Sequence, residues 1–143
     1  MMIAVIGENC SGKSTLADAL GDALGAEVLT GKDYLRLAKS QGIAEALLKK
    51  KLQEAVTGEN LIWVITEKEH LGFLPEGAVR VLVQADLDTV KARFKARMHG
   101  TLPPPVERML EMKHGCFDNE THDYVYDGVN GDPAELIEAL KTR

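Results

Sequence analysis

The sequence predicts a three-layer α/β/α fold, with helices on both faces of a five-stranded parallel sheet. Residues 2–6 and 61–65 are unbroken apolar runs rather than alternating ones, and 79–83 is apolar apart from Arg80, the pattern of strands buried on both faces. Segments with apolar residues every three or four positions lie between the runs, so strands and helices alternate and the crossovers are right-handed. With 143 residues, 45% of them hydrophobic and 27% charged, the chain reads as one domain, 1–143, with a self-sufficient core.

The first strand, Met2–Ile6, ends at Gly7, and Leu16, Leu20 and Leu24 then mark a helix over Lys13–Leu24 that stops at Gly25. A short second strand is expected at 27–29 and a short helix at 34–38. Gln41 and Gly42 break the pattern before a longer helix over 43–56. Gly58 and Asn60 turn the chain into Leu61–Ile65, and 67–74 is too short to assign. After the strand at 79–83, Asp86 reads as an N-cap for a helix carrying Leu87, Val90, Phe94 and Met98. Gly100 and Pro103 to Pro105 end that helix, and 106–113 restarts one with Pro105 near its first turn. A last strand at 123–126 precedes a helix opened by Asp132 as cap, Pro133 at the first helical position and Glu135 as reciprocal carboxylate.

Seventeen Lys and Arg stand against 22 Asp and Glu, and a net charge of −5 gives no global attraction to nucleic acid or an anionic membrane. Cys10 and Cys116 lie far apart and form no disulfide framework, which fits a reducing compartment; a cytoplasmic monomer is expected. The apolar start is too short for a signal-peptide core, and no run approaches a membrane span.

Gly7-Glu8-Asn9-Cys10-Ser11-Gly12-Lys13-Ser14-Thr15 fits G-x-x-x-x-G-K-[ST], set between an expected strand and an expected helix. In such a loop the backbone N–H groups curl inward around phosphate oxygens, and the positive end of the helix adds to the field. Gly7, Asn9, Cys10, Ser11, Gly12, Lys13, Ser14 and Thr15 are therefore the expected nucleotide-binding residues. Lys13 reaches the β- and γ-phosphates of ATP, and the Ser14 hydroxyl ligates Mg²⁺. Glu67, just past the third strand, is a second candidate for the metal shell.

No N-K-x-D follows, nor a D-x-x-G after the third strand, which argues against a GTPase. Across nearly its full length the chain resembles the small nucleoside monophosphate kinase-like group: adenylate kinases, with shikimate and gluconate kinases as relatives. The resemblance implies sheet order 2-3-1-4-5, an acceptor-binding insert at about 31–58 and an arginine-bearing lid at about 93–115. Thr30-Gly31 with Leu35-Arg36 is similar to the acceptor segment of adenylate kinases, with one residue more between glycine and arginine. Asp33 is the nearest counterpart of the acidic residue that contacts the acceptor hydroxyl in the shikimate kinase-like relatives. Lys113 stands where those relatives carry an arginine for an acceptor carboxylate. Residues 126–133, with Asn130 and Gly131, resemble the turn that borders the adenine.

Arg93 and Arg97 share a helical face in a segment, 91–113, with six basic and two acidic residues, which suits charge neutralisation during phosphoryl transfer. Asp33 and Arg36 stand one turn apart, where a base and an anion clamp would serve one acceptor. His99, His114, His122 and Cys116 crowd one stretch without the spacing of a zinc site. The expected activity is transfer of the γ-phosphoryl of ATP to a small-molecule acceptor. Thr30-Gly31 and Arg36 tilt that acceptor toward a nucleoside monophosphate, while Asp33 and the short insert suit a hydroxyl metabolite. A regulatory ATPase switch acting on a protein partner is the alternative.

Overall fold

The apolar runs become the centre of the sheet. In a computed structural model describing residues 1–143, strands β1 (Met2–Ile6), β2 (Glu27–Thr30), β3 (Leu61–Ile65), β4 (Val79–Gln84) and β5 (Tyr124–Asp127) form one sheet ordered β2-β3-β1-β4-β5. Every pairing is parallel, and Ile6 lies beside Ile65 on one side and Leu82 on the other. Five helices complete the fold: α1 (Lys13–Leu24), α2 (Gln41–Thr57), α3 (Leu87–Arg97), α4 (Pro104–Lys113) and α5 (Pro133–Lys141).

The two faces of β1 explain its continuous hydrophobicity. Met2, Ala4 and Ile6 point into a core with Trp63, Ile65 and the α2 residues Ala44, Leu48 and Leu52. Ile3 and Val5 point the other way, against Leu16 and Leu20 of α1 and Leu136 and Leu140 of α5. Each of these leucines removes a side chain from water, worth roughly 2 kcal/mol. No helix is long and apolar enough to cross a membrane.

The structure shifts several expected boundaries. Helix α2 begins at Gln41, not 43, because Ser40 is extended and Gly42 falls in the first turn, where helix propensity matters least. The helix expected at 34–38 is a 3-10 segment over Gly31–Leu37, and the unassigned stretch is another, Lys68–Phe73. Helix α4 starts at Pro104, since prolines in a first turn remove N–H groups that have no helical partner. Asp86 caps α3 through the Thr89 N–H at 3.0 Å, and Asp132 caps α5 through the Ala134 N–H at 2.9 Å. Glu135 makes no return bond, so the reciprocal cap is absent. The carboxyl ends of β1, β3 and β4 meet where the strand order reverses, the place where open α/β sheets form a crevice.

Candidate active site

The loop after β1 is shaped by close backbone packing. A Cβ on Gly7 would lie 2.6 Å from Ser11 Oγ and 2.9 Å from the Val83 carbonyl. Cys10 (φ 62°) and Gly12 (φ 100°) take left-handed conformations that curl the chain into the start of α1. Ser11 is fully buried and its Oγ has no partner. Lys13 is 6% exposed and donates one hydrogen bond, to the Glu8 carbonyl at 2.9 Å. Burial, assisted by the nearby Arg97 charge, pushes its pKa down to about 8. A desolvated ammonium with N–H groups to spare, beside a left-handed loop, fits a polyphosphate. Ser14 and Thr15 are exposed at the helix start, which leaves the Ser14 hydroxyl open to a ligand.

On one side of the loop is a cavity of about 290 Å³ lined by Cys10, Gly12, Thr15, Arg93, Arg97 and Tyr126. The guanidinium of Arg93 is committed to the backbone, donating to the Cys10 carbonyl at 3.0 Å and to the Gly128 carbonyl at 2.8 Å. It therefore ties the loop to the β5–α5 turn, whereas Arg97 is exposed at the cavity rim. Within that turn, Asp127 accepts the Val129 and Asn130 N–H groups at 2.8 and 3.1 Å, and Gly131 receives the Tyr126 hydroxyl at 3.0 Å. Asn130 faces a separate depression, with Val125 and Val129, and Gly131 borders neither.

On the other side is a cavity of about 400 Å³, lined by Glu8 and Asn9 of the loop, Thr30 to Lys32, Thr66, Glu67, His70 and, from the far wall, Val90, Leu110, Lys113 and Cys116. Of the expected acceptor residues, it gathers Thr30, Gly31 and Lys113. Asp33 and Arg36 do not line it. Asp33 instead accepts the Thr30 N–H at 3.1 Å, a local cap, and Arg36 is exposed without an ion pair. Glu67 stands 3.4 Å from Lys32 and 3.9 Å from the His70 ring. The neighbouring Glu69 side chain and the charge of Lys32 hold its carboxyl below the usual range. Glu8, Lys32 and His70 were not expected here. His70, three residues after Glu67, had a signal in its spacing alone.

The expected lid is a helical hairpin resting on the loop. Lys91 joins α3 to α4 through Glu107 at 3.4 Å and Glu111 at 2.6 Å. Cys10 packs with Val90 and Leu110 in a small third core. At its far end Glu8 takes His114 at 2.7 Å and the Gly115 N–H at 3.0 Å. His99 and His122 lie elsewhere on the surface, His122 turned to the Glu120 carbonyl at 3.0 Å.

No protein-family model and no curated relative matches the chain. Solved structures do. A gluconokinase from Sinorhizobium meliloti superposes with a TM-score of 0.62 at 16% identity, over 96% of this chain and 87% of that one. A shikimate kinase from Acinetobacter baumannii, in complex with shikimate, gives 0.62 at 15% identity over 98% and 90%. A deoxyadenosine kinase from M. mycoides with bound dATP gives 0.56 at 18% identity over 99% and 98%. The sheet order expected from the resemblance is the one observed, and the phosphate loop occupies the crevice at its strand-order switch. The chain has the fold of the small P-loop kinases of the nucleoside monophosphate and shikimate kinase-like group.

Proposed function

We propose that the protein transfers the γ-phosphoryl group of ATP to a small acceptor. The observation that carries this reading is the position of the phosphate loop between two cavities, one of about 290 Å³ bounded by Arg93 and Arg97 and one of about 400 Å³ bounded by Thr30, Glu67 and Lys113. A phosphotransferase needs a donor site and an acceptor site that meet at the transferred group, and a simple nucleotide hydrolase needs only the first.

In this reading the loop N–H groups and Lys13 hold the β- and γ-phosphates, and the base lies beside Tyr126, Gly128 and Pro133 of the donor cavity rather than at Asn130 and Gly131, which lie outside it. Ser14 would hold Mg²⁺, which supplies further charge neutralisation when bound. Arg97, free at the cavity rim, reaches the transferring group, while Arg93 keeps the loop in register. Lys113 offers a charge to an acceptor anion. The solved neighbours support a kinase, since three of them are named for phosphorylating small molecules.

The test is ADP formation from ATP and Mg²⁺ against a panel of nucleoside monophosphates and hydroxyl metabolites, with Lys13→Ala as control. Stimulation by one acceptor of at least about tenfold is expected. A flat response across the panel with intact ATP binding would point to the regulatory ATPase instead.

A further inference from the structure

The phosphate-loop motif leaves the position after its first glycine open, and here it holds Glu8, whose side chain is only 13% exposed. A carboxylate so far from water needs donors for its oxygens. Oε1 takes His114 Nδ1–H at 2.7 Å and Oε2 takes the Gly115 N–H at 3.0 Å, both from the segment that leaves α4. The main chain of the same residue serves the loop itself. Its carbonyl accepts the Lys13 ammonium at 2.9 Å and the Ser11 N–H at 3.3 Å. Glu8 thus holds the phosphate-binding lysine through its backbone and residues 114 and 115 through its side chain.

The segment held in this way is a cavity wall. Lys113 and Cys116 line the acceptor cavity of about 400 Å³, while His114 and Gly115 line a third cavity of about 270 Å³ with Gln84, Asp86 and Asp118. Glu8 borders both, so its bonds to His114 and Gly115 stand between the two spaces. Gly115 turns the chain there in a left-handed conformation, at φ 74°. No other hydrogen bond or ion pair joins residues 113–116 to the phosphate loop.

We infer that Glu8 is a positioning residue for the acceptor: it fixes the far wall of the acceptor cavity relative to the phosphate loop, and so the distance between a bound acceptor and the γ-phosphoryl. This rests on the phosphotransfer reading above. Phosphoryl transfer depends mainly on placement, and a displacement of about 1 Å can cost about a hundredfold in rate. A carboxylate within a phosphate loop opposes the nucleotide electrostatically, so its charge is no help to ATP. Its length and its two oxygens, which match one N–H on the imidazole and one on the backbone, are what the wall uses.

The experiment measures ADP release from ATP and Mg²⁺ with gluconate, shikimate, deoxyadenosine, AMP, CMP and UMP, then KM and kcat for the acceptor that stimulates most. Acceptor binding is followed separately by the fluorescence of Trp63, the only tryptophan, whose indole N–H donates to the Gly31 carbonyl in the cavity wall at 3.0 Å. Glu8→Ala should raise the acceptor KM about tenfold and lower kcat about tenfold, with ATP affinity within about threefold because the backbone carbonyl remains. Glu8→Gln keeps the length and an oxygen for the Gly115 N–H, and should stay within about threefold of the parent. Glu8→Asp keeps the charge but is one methylene shorter, and should resemble Glu8→Ala. Adding His114→Ala to Glu8→Ala should cost less than about twofold more, since both remove the same tie. Should Glu8→Ala fail to fold, the contrast between Glu8→Gln and Glu8→Asp carries the test. Parental KM and kcat in Glu8→Ala overturn the inference and leave the phosphotransfer reading standing. Equal losses in Glu8→Gln and Glu8→Ala assign the effect to charge and overturn it too, as does a fall in ATP affinity as large as that in acceptor affinity. A parent enzyme that responds to no acceptor overturns the phosphotransfer reading, and this inference with it.

Discussion

The carboxylate of Glu8 and the imidazole of His114, 106 positions apart in the chain, meet at 2.7 Å. Glu8 occupies a position the phosphate-loop motif leaves open, and its second oxygen takes the Gly115 N–H at 3.0 Å. One loop side chain thus pins the C-terminal end of the α3–α4 hairpin. Glu8→Ala should speed amide hydrogen exchange across residues 104–115 about fivefold, equivalent to roughly 1 kcal/mol for a partly exposed pair, and leave β1 unchanged. Unaltered exchange in that segment would mean that the Cys10 contact alone holds the hairpin.

Lys13 is buried before any phosphate arrives, and the charge is costly there. With its pKa at about 8 against an ordinary 10.5, the unliganded protein gives up roughly 3 kcal/mol at neutral pH. Lys13→Met keeps the length and apolar bulk and removes the charge, at the expense of the bond to the Glu8 carbonyl. The unliganded variant should melt several degrees higher than the parent while losing ATP binding. A lower Tm would show that the ammonium is better solvated than its burial implies.

The same group sets a pH dependence with a definite sign. Between pH 8 and 10.5 the unfolded chain holds the Lys13 proton and the folded chain does not, so the stability of the unliganded protein from this group rises with pH through that window. ATP requires the charged form. Its affinity should be constant below about pH 8 and fall about tenfold per unit above it, with proton uptake on binding measurable by calorimetry in buffers of different ionisation enthalpy. Affinity unchanged up to pH 9.5 would contradict the lowered pKa.

Residues whose neighbours are close in the chain were legible in the sequence. The run Met2–Ile6 announces burial on both faces, and the glycines and lysine of 7–15 announce their loop because their spacing is the chemistry. Arg93 was placed on the right helix face, yet its partners, the Cys10 and Gly128 carbonyls, lie 83 and 35 positions away and leave no mark on the local pattern. His70 sits in a short 3-10 segment without periodicity, and its burial depends on Tyr34 and Trp63 arriving from two other elements. Asp33 was read as an acceptor base, and in the fold its carboxylate turns to the backbone N–H of Thr30, three residues away, as a cap.

The two arginines of α3 stand four residues apart and border one cavity, but only one is free to move. Arg93 has its guanidinium bonded to two backbone carbonyls, so Arg93→Ala should destabilise the protein by roughly 2 kcal/mol and loosen the loop, weakening ADP and ATP together. Arg97 is exposed and makes no ion pair, so Arg97→Ala should change stability by less than about 0.5 kcal/mol. Its charge matters where negative charge builds up on the transferring group, which lowers turnover at least about tenfold with little effect on ADP affinity. Arg97→Lys should recover only part of the rate, because an ammonium lacks the planar fork that spans two phosphate oxygens. Urea unfolding, ADP titration and acceptor-dependent turnover on the three variants separate the roles. An Arg97→Ala enzyme with full turnover would remove this side chain from the reaction and leave the loop N–H groups and Lys13 to act on the γ-phosphoryl in the proposed reading.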